Sequence, residues 1–120
     1  SWTADSVQQT LARMEGHRPP NLLEEPVDSP EDLDRLWAMF LATGEAAPVR
    51  KIISALPLVE KKGAANILVG GAAKWSLTSN AEQHKRVHEI CSEALQDSEG
   101  TTKHLLEEVL ADVNQNESEE

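Results

Sequence analysis

Aromatic side chains and cysteine are almost missing from this chain. Its 120 residues include one Phe, no Tyr and one Cys, against three Trp. The lone Cys91 has no partner for an internal disulfide, so no oxidising compartment is required. With aromatics at 3%, aliphatic side chains must build the core. Runs of β-branched residues are nearly absent as well. Ala, Leu, Glu, Lys and Gln dominate, a composition that favours helix throughout. No stretch nears the roughly 20 apolar residues of a membrane span. Position 1 is Ser and not Met, so either an N-terminal piece has been removed or the sequence starts within a longer chain; the expectation is a soluble protein, cytoplasmic, or periplasmic/secreted after removal of an N-terminal segment.

Positive charge is the other scarcity: 11 basic residues face 21 acidic ones, a net charge of −10. Residues 1–35 hold 8 acids and 3 bases, residues 36–95 hold 5 and 7, and residues 96–120 hold 8 and 1. Nucleic acid is excluded as an expected partner, because phosphate binding needs a concentrated basic face. Such a pattern is usually a solvated surface; the mildly positive middle is either shielded by the acidic ends or, with Arg50, Lys51 and Lys74, the place where an acidic partner docks.

What is present is a pattern that repeats. Shifting residues 33–57 by 35 positions sets apolar on apolar: Leu33 on Leu68, Phe40 on Trp75, Ile52 on Val87, Leu56 on Cys91. A period of this size is what a helix–turn–helix unit produces. The expected fold is therefore all-α, a five- to six-helix bundle of antiparallel helical hairpins with a short solenoid-like repeat of about 35 residues. It forms one domain over residues 1–113, with a core at 29–113, an N-terminal helix at 3–15 packing on it, and a disordered acidic tail at 114–120. Tetratricopeptide repeats share only the architecture, since their signature residues are not in place.

The helix signals along the chain differ in clarity. Val7, Leu11 and Met14 stripe the first helix, which Gly16 and Pro19-Pro20 end. Ser29 reads as an N-cap with Pro30 at the first helical position and Glu31 and Asp32 in the first turn. Leu33, Leu36, Trp37, Phe40 and Leu41 then form one stripe that Gly44 ends. Pro48 opens the next helix, with Val49, Ile52, Ile53 and Leu56 inward, and Pro57 closes it. Residues 64–77 are apolar nearly all round, which predicts a helix surrounded by others, with Trp75 as a core residue. Gly70-Gly71 is expected to serve close packing; a kink or a ligand against bare backbone are the alternatives. Thr78-Ser79-Asn80 reads as a turn, with Asn80 and Gln83 as a capping box opening a helix at 81–96. Gly100 ends that helix, and a last one carries Leu105, Leu106, Val109, Leu110 and Val113.

One constellation has chemistry in it. His84, His88 and Cys91 stand at i, i+4 and i+7, a spacing that brings imidazoles and a thiolate toward one metal ion. The 35-residue shift argues against a site, because it sets the three on Val49, Ile53 and Leu56, all inward. Lys85 also stands where zinc hydrolases place an acid. No cofactor is therefore expected. Asp112, Asn114, Asn116 and Ser118 alternate like calcium ligands, but Glu117 occupies the place of the loop glycine. No nucleophile motif or phosphate-cradling loop is present.

The segments Ser29-Pro30-Glu31-Asp32-Leu33-Asp34-Arg35-Leu36-Trp37, Ala47-Pro48-Val49-Arg50-Lys51-Ile52 and Ala72-Ala73-Lys74-Trp75-Ser76-Leu77 together resemble a family of small uncharacterised bacterial proteins. The resemblance covers roughly residues 20–95 and implies a helical bacterial protein without an assigned activity. The sequence thus predicts a non-enzymatic protein-interaction module, of adaptor, secretion-chaperone or immunity type, that binds another protein. A metal-binding or sensing protein using His84 and His88 with Cys91 is the alternative.

Overall fold

The computed structural model describes residues 23–119, with side chains as far as Val113. The expected N-terminal helix at 3–15, and Trp2, lie outside the described residues. The described residues form five α-helices and one 3-10 helix, with no strand among them: α1 (Pro30–Thr43), α2 (Ala46–Ser54), the 3-10 helix (Leu56–Glu60), α3 (Ala64–Gln83), α4 (Lys85–Asp97) and α5 (Gly100–Glu119). None of these helices is long and apolar enough to cross a membrane.

The start of α1 follows from its sequence. The Ser29 hydroxyl accepts from the Asp32 backbone N–H at 3.3 Å, while the Asp32 carboxylate accepts from the Asp28 N–H at 3.2 Å. Two otherwise orphaned donors are thereby satisfied. At the other end Gly44, at φ +72°, donates to the Phe40 carbonyl at 2.7 Å. That left-handed conformation suits glycine, which has no Cβ to clash. α2 opens two residues before Pro48, because a proline within the first turn lacks only an N–H that has no intrahelical acceptor. Pro57 falls inside the 3-10 helix that follows, a turn that sequence periodicity did not anticipate.

α3 is the axis of the fold and touches every other described element. Its buried side is Val69, Gly70, Ala73, Leu77 and Ala81. Gly70 lies against the 3-10 helix so closely that a Cβ there would come within 2.5 Å of the Val59 backbone nitrogen. Close packing accordingly accounts for Gly70. Gly71 is open, with nothing within 4 Å of such a Cβ. The core around α3 is aliphatic, with Leu36, Ile52, Leu56, Leu77, Ile90 and Leu106 all fully buried and no polar residue buried among the described ones. Inward residues Val87, Ile90, Cys91 and Ala94 of α4 and Leu105, Leu106, Val109 and Val113 of α5 fall as their spacing predicts.

Three expectations are corrected. Residues 78–80 are not a turn: α3 runs through them to Gln83. Thr78 Oγ1 donates to the Lys74 carbonyl at 3.0 Å and Asn80 Nδ2 to the Ser76 carbonyl at 2.8 Å. Side chains that read as caps bond back onto the preceding turn instead, so Asn80 and Gln83 form no capping box. The break falls at His84, which is extended at φ −128°. Second, α3 is not surrounded. Trp75, expected in the core, is 74% exposed. Third, burial departs from the repeat: Leu33 and Phe40 are buried, while their counterparts Leu68 and Trp75 face outward. The backbone of residues 114–119 continues α5 as helix.

Candidate functional site

The exposed side of α3 is where the sorting of side chains stops following water. Ile67 is 53% exposed, Leu68 62% and Trp75 74%; the only other large apolar side chain exposed to this degree among the described residues is Leu23, at 37%. Ala64, Leu68, Gly71 and Trp75 stand at i, i+4, i+7 and i+11, one line along the helix about 16 Å long, with Ile67 beside it. This line is opposite the Gly70–Ala73–Leu77 side that the core covers. Single exposed apolar residues are ordinary, whereas a contiguous row on one element marks an interaction surface.

The indole of Trp75 stands as a ridge between two hollows. One, of about 300 Å³, is lined by Asp34, Trp37, Trp75, Ser79 and His84 among others. The second, of about 240 Å³, is lined by Gly71, Lys74, Trp75, Thr78 and Asp112. Each hollow has one carboxylate from a neighbouring helix, Asp34 from α1 and Asp112 from α5. Partial burial pushes the Asp34 carboxyl above its ordinary range, and the neighbouring Glu31 carboxylate adds to this. Trp37, in the wall of the first hollow, has a buried indole N–H with no acceptor among the described residues.

The residues singled out from sequence fall in three places. Lys74 pairs with Glu108 at 3.3 Å, and Arg50 with Asp97 at 3.6 Å. Lys51 is half-buried beside a cleft shared with Glu24, Val27 and Lys61. These three cations do not line one cleft, and two are matched by carboxylates, so the expected basic docking patch for an acidic partner is not assembled. Lys74 alone adjoins the Trp75 surface.

His84, His88 and Cys91 do not converge either. His84 sits in the extended break before α4 and is exposed, His88 is half-buried, and Cys91 is fully buried. Among the described residues no group of three His, Cys, Asp or Glu side chains is placed to hold a metal ion. The i, i+4 geometry required His84 inside a helix, and α4 begins one residue later. Burial pushes the Cys91 thiol up to about 12, far from the thiolate that binds metal or reacts. Native protein is therefore expected to leave Cys91 unmodified by a thiol reagent at pH 8 for as long as it stays folded, and to react fully in denaturant. Rapid labelling of the native state would contradict the burial.

Sequence reasoning missed the α3 surface because an all-apolar segment predicts burial on every side. The available signal was the pair of lysines Lys61-Lys62 before the helix and Lys74 within it, which limit how completely it can be covered. No protein-family model, curated protein or solved structure matches the chain.

Proposed function

We propose that the protein is a non-enzymatic helical interaction module that receives an amphipathic helix of another protein along the exposed side of α3. One observation carries this reading: Leu68 and Trp75 lie in one row, with Ile67 beside it, on the outside of a helix whose inner side is sorted into the core. Helix-in-groove recognition uses such a row, with anchors at i, i+3/i+4 and i+7 seated between flanking helices. Trp75 is the expected anchor, since a large rigid indole contributes much contact area for little lost freedom. Such a surface suits the role of an adaptor, a secretion chaperone or an immunity-type inhibitor.

For the architecture, we read the helices as antiparallel hairpins in a short solenoid-like arrangement. The shared burial of Ile52 with Val87 and of Leu56 with Cys91 supports this. The two units diverge where α3 turns Leu68 and Trp75 outward. We also read the chain as bacterial, on the resemblance of roughly residues 20–95 to a family of small bacterial helical proteins.

The test uses the full chain immobilised as wild type, Trp75→Ala and Leu68→Glu, with recovered proteins quantified by mass spectrometry. Partners held by wild type are expected to be lost from both variants, while melting temperatures stay put. Retention of the same partners at wild-type yield by both variants would overturn the reading.

A further inference from the structure

We infer that the helix received on α3 is basic at its Trp75 end, with Lys or Arg side chains that straddle the indole and reach Asp34 on one side and Asp112 on the other. This rests on the docking surface just described and specifies the chemistry of its occupant.

The carboxylates that flank Trp75 are unmatched by cations. In the hollow that joins Trp75 to α1, Asp34 makes no ion pair among the described residues, and the polar groups around it are the uncharged Ser76, Ser79, Asn80 and Gln83, with His84 at the rim. Across the ridge, Asp112 is in the same position. The cation that shares its hollow, Lys74, is directed to Glu108 at 3.3 Å, and Glu108 also has His104 Nε2 at 4.0 Å. Each flank of Trp75 therefore offers one carboxylate with no cation of its own. A row of apolar anchors bordered by a carboxylate on either side is the complement of a helix with an apolar stripe and basic flanks.

The indole strengthens the match. A guanidinium or ammonium passing toward either carboxylate crosses the face or edge of an exposed Trp ring, where the ring quadrupole attracts it. Arg satisfies both demands at once, since its planar fork stacks on the ring and its N–H groups point beyond it to an acid. The opposite end of the row has the reverse charge, with Lys61 and Lys62 just before α3. The occupant is thus asymmetric: basic over Trp75 and neutral or acidic over Ala64. The chain's net charge of −10 favours the encounter from a distance.

The probes are two synthetic amphipathic helices of about five turns, roughly 18 residues. They share one Leu/Ala stripe and uncharged Gln flanks over the Ala64 end, and differ only in the flanks of the half that lies over Trp75, Arg in one and Glu in the other. Binding to the 120-residue chain is measured at low and high salt. The Arg peptide is expected to bind about tenfold tighter at low salt, from two surface ion pairs replaced by two repulsions. That ratio should shrink in high salt and collapse toward one in the Asp34→Asn/Asp112→Asn protein, whose folding is checked by circular dichroism. Trp75→Ala should weaken both peptides.

Equal binding of the two peptides, both lost in Trp75→Ala, overturns the basic chemistry and leaves the docking surface standing. Arg-peptide binding that survives Trp75→Ala puts the contact elsewhere on an acidic molecule and overturns the inference together with the surface. If the Arg peptide does not bind, the inference also falls. A Trp75-dependent dimer in sedimentation then gives the surface to a second copy, and a monomer whose Trp75 is shielded gives it to residues 1–22.

Discussion

Gly70→Ala is expected to destabilise the protein by about 2 kcal/mol, although it places a better helix former in the interior of α3. Gly71→Ala, one residue further on, is expected to stabilise it by about 0.5–1 kcal/mol. The two glycines share a helix and a sequence context and differ in what lies outside them. A methyl at position 70 would come within 2.5 Å of the Val59 nitrogen and 2.7 Å of its Cγ1, with the Leu58 carbonyl carbon at 3.1 Å. Two of these are backbone atoms of the 3-10 helix and cannot swing aside as a side-chain tip can. The segment Leu56–Glu60 would have to move, and with it the fully buried Leu56. Relief of glycine's backbone entropy, worth about 1 kcal/mol, is too small to offset a displaced segment. At position 71 the same relief acts alone, because nothing lies within 4 Å. Urea unfolding of the two variants checks this. For a domain of this size the changes correspond to a midpoint roughly 10 °C lower for the first and a few degrees higher for the second. Equal effects in the two variants would mean that the 3-10 helix does not rest on α3 as described.

The second large effect concerns binding and leaves stability alone. Trp75→Ala is expected to weaken the partner complex by about 2 kcal/mol or more, roughly thirtyfold, as a central aromatic anchor does. Leu68→Glu should act at least as strongly, because it sets an uncompensated carboxylate within the apolar row. Neither change should cost much folding free energy, since both side chains are more than half exposed and add little to the core. Titration of the recovered partner, with thermal melts in parallel, separates the two quantities. A large loss of stability in either variant would show that the side chain is buried in the folded chain.

Much of the fold is legible in the sequence where one residue type has one role. Ser29-Pro30-Glu31-Asp32 can hardly do other than open a helix, and Gly44 is placed to close it. The inward positions of α4 and α5 are read correctly because their polar and apolar residues alternate at helical spacing around a single stripe. Legibility fails where a residue has two local uses. Thr78 and Asn80 can cap a new helix or bond back onto the previous turn, and the choice depends on whether Ala81 finds a core to enter, which is a matter of tertiary packing. α3 fails for a related reason: with Ala and Gly on all sides it has no polar stripe to show which side meets water. The candidate surface was hidden for that reason, and the i, i+4, i+7 arithmetic of His84, His88 and Cys91 was undone by a helix boundary shifted by a few residues. The pairing of Lys74 with Glu108, 34 residues apart, could not be read from local spacing at all.

Docking on α3 requires that Trp75 face water in the free molecule. The fluorescence difference between the wild-type protein and Trp75→Phe isolates that indole from Trp2 and Trp37 without disturbing the core. In dilute protein this difference emission is expected to have the red-shifted maximum of a solvated indole and to be quenched by acrylamide nearly as readily as free tryptophan. A blue-shifted difference emission, shielded from acrylamide at every protein concentration, would show that the chain covers this surface itself and would contradict the account.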